Sequence, residues 1–248
     1  MICLKSQKEI EKLRKANRIT AEALLYAGEC LKPGMTTYEL DKLIERYYAS
    51  HGTRSGFKGY DGFPGSACIS VNDEVIHGIP GPRKINEGDI VSIDTGAIID
   101  GYYGDSCKTF ACGKISDDVQ ALLDSTEQSL MLAVDMVKPG VRIGDIGAAI
   151  QKYNEDRGFS VVREFVGHGL GKDMHEDPEI PNFGKAGHGI RLVAGMVICI
   201  EPMINMGTAK IRIMPDGWTV KTQDGKWSAH FEHAIAVTQD GAVILSRP

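Results

Sequence analysis

The chain has 248 residues, 42% of them hydrophobic and 25% charged, which is the composition of a globular protein and excludes fibrous and disordered classes. With 28 Lys+Arg against 33 Asp+Glu, the net charge of −5 provides no broad cationic field for nucleic acid or an anionic membrane. The longest stretch without a charged residue runs from Gly62 to Asn72, far short of the ~20 apolar residues of a membrane span. The first residues, Met1-Ile2-Cys3-Leu4-Lys5, lack the parts of a secretory signal, so the expected compartment is the cytoplasm. Cys3, Cys30, Cys68, Cys107, Cys112 and Cys199 form no CxxC pair and read as reduced, mostly buried thiols. The 29 glycines imply many tight turns.

Ser6 and Glu9 have the spacing of a capping box, which opens a helix expected to reach about Ala27 before Lys32-Pro33-Gly34 breaks the chain. Thr36 and Glu39 form a second box. Leu40, Leu43, Ile44 and Tyr47 then recur at helical spacing until Gly52, giving an amphipathic helix with one buried face. The same pattern returns in the second half. A helix-like segment starts near Asp117, Lys138-Pro139-Gly140 follows it, and Ile146, Ala149, Ile150 and Tyr153 repeat the spacing up to Gly158.

Strands follow each helix pair. Gly88-Asp89 precedes Ile90 to Asp94, and Asp100-Gly101 is a hairpin signal leading into an expected strand from Tyr102 to Cys112. In the second half Gly195-Met196 precedes Val197 to Glu201, and turns at Asp216-Gly217 and Asp224-Gly225 come before an expected strand from Ala229 to Val237. Glu201 therefore occupies the repeat position of Asp94. The expected architecture is α+β, a single domain over 1–248 made of two similar halves (about 6–112 and 117–240), with a curved antiparallel sheet covered on one side by two helix pairs.

Asp94, Asp105, His168, Glu201 and Glu232 are acids and an imidazole set in apolar or glycine-rich surroundings. Any one alone is ordinary. Together, four acids on facing strands require neutralisation, since a buried carboxylate is costly unless a cation offsets it. Two divalent ions would balance four carboxylates, and paired ions in such sites lie ~3.5–4 Å apart, share bridging carboxylates and lower the pKa of water enough to supply hydroxide near neutral pH.

This ordered set, with Gly167-His168-Gly169-Leu170-Gly171, Glu201-Pro202 and the segment from Ser66 to Pro80, resembles the methionine aminopeptidase family. The likeness is to its short bacterial type I form, because the His175 to Glu201 interval leaves no room for the type II insertion. The resemblance implies the internally duplicated pita-bread fold and removal of N-terminal methionine from nascent chains whose second residue is small. It also implies a metal set in which Asp94 holds one ion, His168 and Glu201 hold the other, and Asp105 and Glu232 bridge them. Co, Mn, Fe(II) and Zn all suit an oxygen-rich site with one imidazole.

By the same resemblance His175 donates a hydrogen bond to the scissile carbonyl, His77 orients the scissile amide, and Glu201 also carries a proton from water to the leaving amine. Tyr60, Phe63, Cys68, His77, Met174 and Trp218 are the implied methionine pocket, and Met174 replaces the aromatic residue common there in bacterial relatives. His51, His188, His230 and His233 are expected to be structural. A prolidase or aminopeptidase P of the same fold is the nearest alternative, although such relatives usually carry a large N-terminal domain. A noncatalytic pita-bread binding protein is disfavoured, because such relatives have lost ligands. The expected partners are the N-termini of nascent polypeptides, on which the protein acts as a monomer, with Lys210, Arg212, Lys221 and Lys226 available for a transient ribosome contact.

Overall fold

The computed structural model describes residues 1–248 and contains four helices. Helix α1 spans Gln7–Cys30 and α2 spans Thr37–Ser50, while α3 spans Asp117–Met136 and α4 spans Ile143–Glu155. Both capping boxes form. The Ser6 N–H donates to Glu9 Oε2 at 2.9 Å and the Thr36 N–H to Glu39 Oε2 at 2.8 Å, satisfying donors that a helix start leaves free. Helix α1 runs past Ala27 to Cys30, so the Lys32-Pro33-Gly34 break, with Gly34 at φ +90°, ends it.

Each helix pair backs an antiparallel ladder. In the first, Ile90–Thr95 lies between Ala67–Val71 and Ser106–Ala111, and its inner face packs with Leu24, Leu40, Ile44 and Tyr48 of α1 and α2. In the second, Val197–Ile200 lies between Gly167–Gly169 and His233–Thr238, with Glu176–Ile180 and Gly241–Ile244 at the edges. Ile198, Ile200 and Ile235 there join Leu122, Leu130, Ile146 and Ile150 of α3 and α4 in one core. The strands form five hydrogen-bonded sheets in all, one of five strands and four of three. The first- and second-half ladders meet at a seam where the Glu232 N–H donates to Cys107 O at 2.8 Å, Thr109 Oγ1 donates to His230 O at 2.8 Å, and Ser106 Oγ donates to Glu232 O at 3.1 Å.

Two strands read as continuous are interrupted. The stretch from Tyr102 to Cys112 divides into Tyr102–Tyr103 and Ser106–Ala111, and that from Ala229 to Val237 divides into Ser228–His230 and His233–Thr238. The first break has a visible cause. At Gly104 the backbone presses against α1, where a Cβ would come within 2.6 Å of Ala16 O, and the next amide, Asp105 N–H, donates to Asn17 Oδ1 at 3.1 Å. At the second break Glu232 N–H leaves its own ladder for Cys107 across the seam. The Asp100-Gly101 turn forms as expected, with φ +52° and +78° joining Ala97–Ile99 to Tyr102–Tyr103.

Candidate metal centre

Strand ends and breaks deliver the charged groups to one place. Asp94 lies near the end of Ile90–Thr95, Glu201 directly follows Val197–Ile200, and His168 is the middle residue of Gly167–Gly169. Asp105 and Glu232 sit at the two strand breaks. All five line a cavity of about 200 Å³. The seven side chains expected to touch substrate, Tyr60, Phe63, Cys68, His77, Met174, His175 and Trp218, line the same cavity. Phe57 and Asp61 complete it and were not anticipated.

The cluster is buried and short of partners. His168 Nε2 lies 3.5 Å from Glu201 Oε1 and 3.7 Å from Asp105 Oδ2. Its Nδ1 faces Gly169 O at 2.9 Å, which places the ring proton there and leaves Nε2 free to act as a ligand. Asp94 Oδ1 and Glu232 Oε1 are buried without any hydrogen-bond partner. Burial, with the Glu201 carboxylate adding to it against the pull of His230, pushes Asp94 up to about 7, and burial pushes Glu201 to about 7. Asp105 and Glu232 are raised well above the carboxylate range, by burial first and then by the other acids of the cluster. Burial also lowers His168, keeping the imidazole neutral. Orphaned buried oxygens, mutual repulsion and one neutral imidazole are what a divalent-cation site requires of its ligands, because the cation supplies the charge that the protein withholds. The donor set fits a metal.

Two further residues belong to this neighbourhood. Donor atoms of Asp105, His168, Cys199 and Glu232 all lie within 4.8 Å of one another. Cys199 does not line the cavity, however, and burial holds its thiol well above the usual range, followed by the charge of Glu232. His230, expected to be structural, places Nε2 3.4 Å from Glu201 Oε2 and has no other partner for that atom. Cys199 and Glu201 are two apart, as are His230 and Glu232, a spacing visible in the sequence, although Glu201 and Glu232 themselves lie just outside the strands.

The remaining histidines are held firmly. His77 adopts φ +58°, unusual for a residue with a side chain, where Gly78 crosses the adjacent strand so closely that a Cβ would fall 2.3 Å from Ile69 O. Burial, helped by the nearby His230 and His175, lowers His77 to about 4. His175 Nδ1 lies 2.9 Å from Tyr60 Oη, and its ring meets that of His168 edge-on at 4.4 Å. Burial lowers its basicity, opposed by the Asp61 carboxylate. Phe57, Phe63, Cys68 and Met174 form a small apolar cluster against which Trp218 and Tyr60 pack, with Phe63 and Trp218 in edge contact at 5.1 Å.

Residues 11–239 match the profile of metallopeptidase family M24. The chain is 50% identical over 247 residues to methionine aminopeptidase 1 of Bacillus subtilis, covering 100% of each chain, and 48% identical to the methionine aminopeptidase of Clostridium perfringens, covering 99% of each. The crystal structure of methionine aminopeptidase from Thermotoga maritima superposes with a TM-score of 0.98 at 42% identity, over 100% of both chains. Prolidase from Pyrococcus furiosus shares the fold at a TM-score of 0.81 and 24% identity, and this chain covers 65% of it. The five carboxylate and imidazole groups gathered at the seam thus lie in a chain that belongs to metallopeptidase family M24.

Proposed function

We propose that this protein is a methionyl aminopeptidase, a single catalytic domain that removes the N-terminal methionine from polypeptides whose second residue is small. One observation carries the reading: the five-group metal-type cluster shares one cavity of about 200 Å³ with the side chains of Phe63, Cys68, Met174 and Trp218, which give part of its wall a lining suited to a thioether. The near full-length relatives named methionine aminopeptidase support it over the prolidase alternative, whose example is 24% identical.

In this reading Asp94 would help hold one divalent ion and His168 and Glu201 a second, with Asp105 and Glu232 contributing to both, and Co, Mn, Fe(II) or Zn are the candidates. When bound, the ions supply Lewis-acid polarisation of the scissile carbonyl and a lowered pKa for water. The side chains perform the rest. Tyr60 Oη and His175 Nδ1 share a hydrogen bond at 2.9 Å; with Tyr60 as its donor the ring proton would stand on Nε2, from where it would donate to the carbonyl oxygen as negative charge grows there. His77, neutral because of its burial, hydrogen-bonds the scissile amide and aligns it. Glu201 accepts a proton from the attacking water and passes it to the leaving nitrogen, so the C–N bond breaks to give free methionine and the shortened chain. His230 Nε2 faces the second Glu201 oxygen at 3.4 Å.

The protein acts on polypeptide N-termini, and we assign it to the cytoplasm as a monomer. No helix is long and apolar enough to cross a membrane. Of the four basic residues considered for a ribosome contact, Lys221 pairs with Asp73 at 3.2 Å and with Glu74 at 3.6 Å, so that role falls to exposed Lys210, Arg212 and Lys226. The test is turnover of Met-Ala-Ser and Ala-Pro-Gly peptides by one metal-reconstituted preparation. Release of methionine from the first alone is expected, whereas preferential cleavage of the second would replace this reading with the proline-directed one.

A further inference from the structure

A lysine near the start of the chain is buried beside the loop that carries His175. The Lys5 side chain is 4% exposed and its ammonium pairs with Glu176, 13% exposed, the residue that follows His175. The other Glu176 oxygen, Oε1, accepts the Lys172 N–H at 3.0 Å and so closes the loop from Leu170 to Glu176. Gly171 sits at the centre of this arrangement. A Cβ there would lie 2.0 Å from Glu176 Oε1 and 2.6 Å from Lys5 Nζ, so the carboxylate and the ammonium both rest against the bare face of the glycine. The ends of the assembly are fixed by main-chain bonds, Lys5 N–H to Gly195 O at 2.7 Å, Leu170 N–H to Val197 O at 3.0 Å and Tyr103 N–H to Gly171 O at 2.9 Å.

From this geometry we propose that the Lys5–Glu176 pair is a positioning device for His175. The proposal rests on the reaction assigned above. His175 is held on its ring side by Tyr60, and its backbone is held between Met174, buried in the apolar cluster, and Glu176, fixed by Lys5. The segment ahead of α1 contributes no atom to the cavity, yet it sets where the Nε2 of His175 stands relative to the scissile carbonyl. A buried carboxylate deprived of its cation moves toward water, because an uncompensated charge in such a site is strongly unfavourable. Its departure would release the Lys172 amide and let the His175 backbone shift.

Lys5→Met tests this, since it preserves side-chain length and removes the charge. Turnover is expected to fall about 10- to 100-fold, the cost of misplacing a reacting group by about 1 Å, while KM stays within about twofold. Divalent metal bound per chain should match wild type, and the His175 ring resonances should shift. Lys5→Arg, which keeps the cation, should recover most of the turnover. If Lys5→Met does not fold, Glu176→Gln replaces it, because the amide oxygen still accepts from Lys172 while the ion pair is lost; about a tenfold loss of turnover is expected. Wild-type turnover and wild-type His175 resonances in a folded variant, with only thermal stability lowered, would overturn the proposal. Wild-type cleavage of Met-Ala-Ser is the control for the reaction itself, and the His175 resonances report positioning whether or not that peptide is cleaved.

Discussion

His175 and His168 stand ring to ring at 4.4 Å, yet their surroundings assign them different tasks. His168 turns a free Nε2 toward Asp105 and Glu201, whereas His175 engages Tyr60 Oη through Nδ1 and lines the cavity with its ring. Replacing His175 by Ala should therefore lower turnover ~100- to 1,000-fold, the usual cost of one donor to developing negative charge, and leave bound metal unchanged. Parallel metal analysis and steady-state kinetics check this, and matched losses of metal and activity would move His175 into the ligand set. The acids and histidines of the site were legible because ionisable residues in apolar, strand-like surroundings stand out in a sequence. Phe57 and Asp61 were not, since an aromatic or acidic loop residue carries no such contrast. Cys199 reads from the sequence as a buried thiol and His230 as structural, and only the fold brings each beside an acid of the cluster.

Among the elements, helices were legible from their caps and periodicity, and the central strands from their apolar runs. The strand breaks at Gly104-Asp105 and Phe231-Glu232 were not, because residues on both sides are strand formers and the interruption comes from tertiary contact with α1 and across the seam. These breaks place two of the four carboxylates, so the local loss of ladder hydrogen bonds serves the site. Gly104 is the point of contact. In Gly104→Ala the added methyl would meet Ala16 O at 2.6 Å and Thr20 Oγ1 at 2.5 Å, and helix backbone yields poorly. The expected cost is about 1–3 kcal/mol of stability, with weaker divalent-metal binding as Asp105 is pushed aside. Denaturant unfolding and metal titration of the same sample measure both. Unchanged metal affinity in a destabilised variant would separate the α1 contact from the placement of Asp105.

Over the whole molecule, the proposed ligands divide between the two halves, Asp94 and Asp105 from the first and His168, Glu201 and Glu232 from the second, so an ion bound by them would cross-link the two halves at their seam. The duplication was readable in the repeated Lys-Pro-Gly breaks and helical spacings; the seam was not, because hydrogen bonds between distant strands leave no local pattern. This arrangement makes stability depend on pH and metal together. Without metal, burial raises Asp94 and Glu201 to about 7 from ordinary values of 3.8 and 4.5. Between those limits the native state binds more protons than the unfolded chain, so its stability is fully present below the unfolded values and falls as pH rises through about 7. A divalent cation replaces those protons and favours the ionised carboxylates. The increase in thermal unfolding temperature on adding Mn(II) should therefore be larger at pH ~7.5 than at pH ~5.5, and proton release should accompany binding. Removing the metal with a chelator should cost most stability at the higher pH. Differential scanning calorimetry with and without Mn(II) at both pH values decides the matter, and equal increases at the two would show that these carboxylates do not exchange protons for metal.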